Sequence, residues 1–221
     1  MAIESTIPRW IRPYLDEAKI KSIDAAITAA ECKTSGEIVP LVVKSSSALG
    51  HVPTITFCAF LIAMLVFHLE QVQRVHIYDT SFWPFVNLIF AALLAFIFSR
   101  LSFVQRLLVS EQDRITQVKH RAELEFYRLG ITETEGATGI LIFVSLLEHR
   151  IEVMADKKIS IMLPPETWNG VVEQVLAGIR SGDLSKGLCN AIETCGNILA
   201  DKFPIKSGDR NELKDHVIWK V

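Results

Sequence analysis

Two stretches of this chain carry no charged side chain at all. Pro53 to Leu69 reads PTITFCAFLIAMLVFHL and Phe82 to Phe98 reads FWPFVNLIFAALLAFIF, each 17 residues long. That length is at the low end of the roughly 17–25 apolar residues that carry a helix across a bilayer. A buried helix in so small a protein normally keeps a polar stripe, and these are apolar on every side. The sequence therefore predicts a transmembrane hairpin over 52–99, with helices at about 53–69 and 82–98. His68, Tyr78 and Trp83 lie at its edges, where amphipathic rings prefer the headgroup region. Lys33 and Lys44 precede the hairpin, Arg100, Arg106 and Arg114 follow it, and the connecting segment Glu70 to Ser81 holds Arg74 alone. By the excess of positive charge on the cytoplasmic side, both termini are expected in the cytoplasm. The expectation is a multi-pass protein of the cell membrane, with the lipid bilayer as its first partner.

The rest of the chain has a different composition. Half of all residues are hydrophobic and mean hydropathy is +0.31, yet charged residues still make up 22%, near the usual share of about 25%. A globular domain with a concentrated apolar segment explains both values. The net charge of −2, with no run of Lys or Arg, gives no basic surface and no expectation of nucleic acid. Met1 to Arg12 lacks the apolar centre of a secretory signal. Cys32, Cys58, Cys189 and Cys195 show no C-x-x-C spacing, so they read as reduced thiols acting as small hydrophobes rather than as zinc ligands.

The pattern on either side of the hairpin predicts one domain rather than two. Tyr14 to Lys33 is amphipathic, with Leu15, Ala18, Ile23, Ala26, Ile27 and Ala30 on one face, and Thr34-Ser35-Gly36 stops it. Glu37 to Val43 follows as a β-branched strand, and Pro40 predicts an edge or a bulge. After the hairpin, Ser110 caps a helix to about Leu129, ended by Gly130. Ile140 to Leu146 is continuously apolar, as in a strand buried on both faces. A short connection through Glu148-His149-Arg150 leads to Ile151–Ala155, so these strands are expected to be antiparallel neighbours. Two helices close the domain, one after Pro164-Pro165 with Trp168 inward, and one from Asp183 to Lys202.

One helix and one strand are too little to bury a core, so Glu37–Val43 is expected to join the sheet made after the hairpin. The expected fold class is α/β, a small mixed sheet sandwiched by helices and interrupted by the transmembrane hairpin. Its domain is divided into 14–44 and 110–204, with 205–221 as a polar tail.

The order of these pieces is recognisable. A helix ends in Thr34-Ser35-Gly36-Glu37-Ile38-Val39, Arg121-Ala122 lies on a later helix, and Thr138-Gly139-Ile140-Leu141-Ile142-Phe143-Val144-Ser145 precedes Arg150-Ile-Glu-Val-Met-Ala-Asp156. This resembles the TPM domain family, in the bacterial branch with a membrane hairpin inserted after the first strand. The likeness covers about Leu15–Val43 and Ser110–Phe203. It implies an α/β sandwich, and it implies acid phosphatase activity or calcium binding, which belong to some members only. The family's loop after the second strand is rich in glycine and tyrosine, whereas this chain has Ala155-Asp-Lys-Lys-Ile159. The family's ligands are therefore not carried over to that loop.

Candidate chemistry rests on few residues. Glu37 and Asp156 stand at strand ends, where α/β sheets place functional groups, and together they would hold a divalent cation, calcium or magnesium, through oxygen. Glu133 and Glu135 would be further ligands. Arg150 would hold a phosphate through its fork of donors. Against this, Glu37 serves equally well as a cap or ion-pair partner, Asp156 as a turn former, and Arg150 as a solvated hairpin tip beside Glu148 and His149. No phosphate loop, dinucleotide fingerprint or H-E-x-x-H zinc motif occurs. Two readings follow. One is a membrane-tethered binding or assembly module for a membrane-associated protein. The other is a metal-assisted phosphatase using Glu37, Asp156 and Arg150.

Overall fold

The computed structural model describes residues 7–46, 54–64, 83–99, 101, 111–205 and 211–221. The chain forms two compact units, one of residues 1–46 and 115–221 and the other of residues 47–114.

The first unit is a mixed α/β domain. Helix α1 (Glu17–Glu31) begins at Asp16, whose carboxylate accepts the Lys19 N–H at 2.8 Å. It leads to strand β1 (Glu37–Val43). After the second unit, a helix over Glu111–Arg128 returns the chain to strands β2 (Gly139–Ser145) and β3 (Arg150–Ala155). The four-stranded sheet has the order β3-β2-β1-β4, where β4 is Ile218–Lys220. β1 is parallel to both β2 and β4, and β2 is antiparallel to β3 across the short turn the sequence predicts. The strand before the apolar segments thus joins the strands after them.

Side-chain alternation divides the core in two. Ile38, Val42, Ile140, Ile142, Val144 and Ile151 face Ile23, Ile27 and Ala30 of α1 together with residues of the last helices. Val39, Leu41, Val43, Leu141 and Phe143 face the other way, against Val118, Ala122, Phe126 and Ile131. Every residue of β1 and β2 is buried, as the apolar run in β2 predicts.

Pro40 corrects the edge-strand expectation without violating the physics behind it. β1 is interior, yet Glu37 N–H donates to Thr138 on the β2 side and Lys44 N–H donates to Lys220 on the β4 side. Alternation turns even-numbered N–H positions of β1 toward β4. Pro40, which has none, falls one residue before that ladder begins at Leu41. The polar tail is corrected as well. Its last residues supply β4, Val217 is buried, and Leu213 and Ile218 pack on the sheet.

The last helices pack through glycine. With the two apolar segments numbered α2 and α3 and Glu111–Arg128 as α4, these are α5 (Lys157–Met162), α6 (Asn169–Ser181) and α7 (Leu184–Lys202). A Cβ on Gly178 would stand 2.7 Å from the Gly187 Cα, and a Cβ on Gly187 would stand 2.9 Å from Gln174 O. The contact is backbone against backbone, so no rotamer change relieves it. Gly187→Ala is expected to lower stability by about 2 kcal/mol through overpacking. Denaturant unfolding at unchanged m-value is the check.

In the second unit, residues 54–64 form α2 and Trp83–Phe98 form α3. The Thr56 hydroxyl donates to Ala95 O at 3.5 Å, and Phe60 meets Phe98 edge-on at 5.2 Å. Ala91 and Ala95 are buried, whereas Leu88, Ile89, Phe90, Leu93, Phe96 and Ile97 are exposed. Helix α3 has 16 residues, about 24 Å at 1.5 Å per residue, against a hydrocarbon core of about 30 Å. Among the described residues, no helix is long and apolar enough to cross a membrane. The expected transmembrane hairpin, and with it the multi-pass placement with both termini in the cytoplasm, is corrected on this finding. The run expected to be helical at 82–98 does form a helix, but its length falls short of the hydrocarbon core. The connecting segment Glu70–Ser81, His68, Tyr78 and the Ser110 cap lie outside the described residues.

Candidate functional site

The sheet brings Glu37 and Asp156 to the same end. Glu37 pairs with Gly139 across β1 and β2, and Asp156 N–H donates to Gly139 O at 2.9 Å. The two acidic residues are thus two strand spacings apart, roughly 10 Å. Gly139 leaves the gap between them without a side chain, and Ile131 fills it. A Cβ on Gly139 would stand 2.4 Å from the Ile131 Cγ2 and 2.7 Å from its carbonyl oxygen. Ile131 is fully buried there, so an apolar side chain occupies the place between the expected cation ligands.

Each carboxylate has its own local use. Asp156 is 7% exposed, and its Oδ1 accepts the Lys157 N–H at 2.6 Å, which caps α5, while Oδ2 has no partner among the described residues. Glu37 is 8% exposed. Its Oε1 accepts the Glu212 N–H at 3.2 Å and its Oε2 the Leu213 N–H at 3.4 Å, so it holds the C-terminal segment. Glu133 and Glu135 are exposed, and the Glu135 N–H donates to Glu212 Oε2. Arg150 begins β3, opposite Ser145, at the other end of the sheet. Six residues at about 3.3 Å each place it roughly 20 Å from Asp156. Beside it His149 is exposed and holds a left-handed φ of 50° in the turn. No group of three or more His, Cys, Asp or Glu that could hold a metal ion occurs among the described residues.

A different acidic cluster surrounds Glu37. Glu31 at the end of α1, Glu37 at the start of β1 and Asp215 line a cavity of about 230 Å³ with Thr28, Cys32, Thr34, Ile205 and Asn211. Glu31 Oε1 accepts the Ile38 N–H at 2.8 Å, and Thr28 donates to Asp215 Oδ2 at 3.0 Å. Glu31 Oε2 is buried with no donor against it. The neighbouring Asp215 offers only another carboxylate, so a bond between them needs a proton. Burial pushes the Glu31 carboxyl up from 4.5 to about 8, opposed by the Ile38 N–H and reinforced by Glu37 and Asp215. Burial also raises Glu37 above its ordinary value.

Sequence reasoning missed this cluster because Glu31 and Asp215 are 184 positions apart. One local signal was present. Glu31 stands in the last turn of a helix, where the dipole disfavours a negative charge. Burial pushes Cys195 up to about 12, in keeping with a thiol that packs rather than reacts, whereas Cys32 and Cys58 are exposed and do not fit the expectation of packed thiols.

No family model matches the sequence, and no curated protein matches it. Among solved structures, the NMR structure of the BA42 protein from the psychrophilic bacterium Bizionia argentinensis sp. nov. matches with a TM-score of 0.59 and 21% identity. The match covers 94% of this chain and 96% of that one. At that identity, what this chain shares with the BA42 protein is its fold.

Proposed function

We propose that this chain is a TPM-like domain that acts as a binding or assembly module, engaging a protein partner through the exposed apolar surface of α3. The membrane tether expected from the sequence is not part of this reading. The observation that carries it is the contrast within one helix. Helix α3 has no charged residue and buries Ala91 and Ala95, while Ile89 is 70% exposed and Leu88, Phe90, Leu93, Phe96 and Ile97 are also exposed. An apolar surface of this kind marks an interaction site, and an uncharged helix suits a partner that presents an uncharged helical face. The α/β domain supports the TPM-like part, because its strands stand where the motifs at Thr34–Val39, Thr138–Ser145 and Arg150–Asp156 place them. The phosphatase reading has less support, since Arg150 and the carboxylates lie at opposite ends of the sheet.

A photocrosslinking residue at Leu93, compared in cells with one at the exposed Leu124 of α4, tests the proposal. Crosslinks to protein are expected from position 93 and not from 124. Ile89→Glu should cut their yield about tenfold or more, because covering that surface would then bury a charge. Free monomer at both positions, or a yield indifferent to Ile89→Glu, would sink it.

A further inference from the structure

The C-terminal segment from Asn211 to Val221 packs through Leu213, Val217, Ile218 and Trp219, pairs Lys220 with the buried Glu125, and is also held by side chains that accept hydrogen bonds. Glu37 takes the N–H groups of Glu212 and Leu213, and Asp24 Oδ1 takes that of Val217 at 3.0 Å. Thr28 and Asn211 donate to Asp215, β4 makes a ladder of three residues with Leu41–Val43, and Arg121 donates to Val221 O at the far end. The same segment brings Asp215 against Glu31 and Glu37 in the 230 Å³ cavity, whose lining includes no Lys, Arg or His among the described residues. Three carboxylates meet there, and the buried Oε2 of Glu31 has no donor. We infer that Glu31, Glu37 and Asp215 form a proton-held clasp, which keeps the C-terminal segment closed on α1 and β1 and opens when the proton is lost at alkaline pH. Opening bares the edge of β1 at Leu41–Val43.

The sign follows from the cavity. A carboxyl whose value lies above its ordinary one binds its proton more tightly in the closed form than in the open form. Closure is therefore fully favoured below the ordinary carboxyl range and weakens as pH rises through about 8. Among the described residues, the charged groups that act on Glu31 are Glu37 from β1 and Asp215 from the C-terminal segment, and both repel its anion. His216 and Asp215 act in turn on Asp24, about two helical turns before Glu31 on α1. From α7, the side chain near this end of β1 is Leu199, which abuts Gly36 and carries no charge. Thr28 and Asn211 donate to Asp215, but among the described residues no cation lines the cavity beside Glu31.

Trp219 lies in β4 and packs against the core, so it reports closure, while the buried Trp168 reports the integrity of the domain. Full-length protein carrying fluorotryptophan would be followed by fluorine NMR across the neutral-to-alkaline range, with the Trp219 line assigned through Trp219→Phe. The Trp219 line is expected to move to an exposed position with a midpoint near 8 while the Trp168 line stays in place. Glu31→Gln should abolish the transition. Asp215→Asn removes a carboxylate that repels the Glu31 anion, so it should also hold the segment closed, and it serves if Glu31→Gln fails to fold. A Trp219 line that never moves, one that moves together with Trp168, or a transition retained in both variants would overturn the clasp. So would a midpoint that shifts between chelator and millimolar calcium or magnesium, which would assign the cluster to a cation.

Discussion

Replacing Phe143 with alanine is expected to cost the α/β domain about 4 kcal/mol, within the range for emptying a buried phenylalanine site. Phe143 is at the middle of β2, flanked by β1 and β3, and is fully buried. Its ring belongs to the smaller of the two core layers, with Val118, Ala122 and Phe126 of α4. That layer has a single long helix, so the sheet beneath has few ways to close the gap. At roughly 3 °C per kcal/mol for a domain of this size, the melting temperature should fall by about 12 °C. Phe143→Leu, which keeps most of the volume, should cost about 1.5 kcal/mol or less. Urea unfolding of both variants measures this. Equal losses would mean that aromatic shape rather than volume holds the layer.

The second large effect concerns Glu125, which is fully buried on α4 and surrounded by cations. Arg121 Nε lies 3.1 Å from its Oε1 and Arg128 Nη1 lies 3.8 Å away, while Lys220 Nζ contacts Oε2. Glu125→Leu is expected to cost about 3 kcal/mol, the lower end of the range for breaking a buried ion pair. The lower end applies because the side chains of Arg121 and Lys220 keep 29% and 34% of their exposure and are partly solvated once released. Lys220 ends β4, so amides of Ile218–Lys220 should also exchange faster in this variant than those of β2. Lys220→Met leaves Glu125 with two arginines and should cost about 1 kcal/mol. If Glu125→Leu costs no more than that, the cluster is a surface feature and not a fastening between helix and strand.

The sheet was legible in the sequence where one physical signal acted alone. The unbroken apolar run of β2 announced burial on both faces, and the short link to β3 announced their antiparallel pairing. Asp183 and Gly182 mark the junction of α6 and α7 as capping residue and left-handed stop, φ 77°. Where two signals competed, the reading failed. Asp156 reads as a strand end because the helix it caps, Lys157–Met162, is too short to show a period. Ile218–Lys220 reads as tail because three residues have no alternation, and their strand is specified by β1, more than 170 positions earlier. Glu37 and Asp156 do stand at one end of the sheet, but the sequence gives no sign that Ile131 fills the space over Gly139. The bounds of helix α3 are legible to within a residue, but its apolar composition reads as a membrane span that its length does not support.

One small knot has a wider meaning. Glu148 accepts from Ser45 at 2.8 Å, from the Ser46 N–H and from Ser145, while Ser46 and Ser145 share a hydrogen bond at 2.8 Å. Leu146 and Leu147 donate to the carbonyls of Val43 and Lys44 beside it. The course of the chain leaving β1 is thus settled by residues of the domain itself before position 47. A segment added or removed after Ser46 would alter the loop-closure entropy, by only about 0.6 kcal/mol per doubling of length, and would leave the sheet register alone. The seam works as a cloning site does: cargo of any length can be spliced there, and the architecture that receives it stays the same.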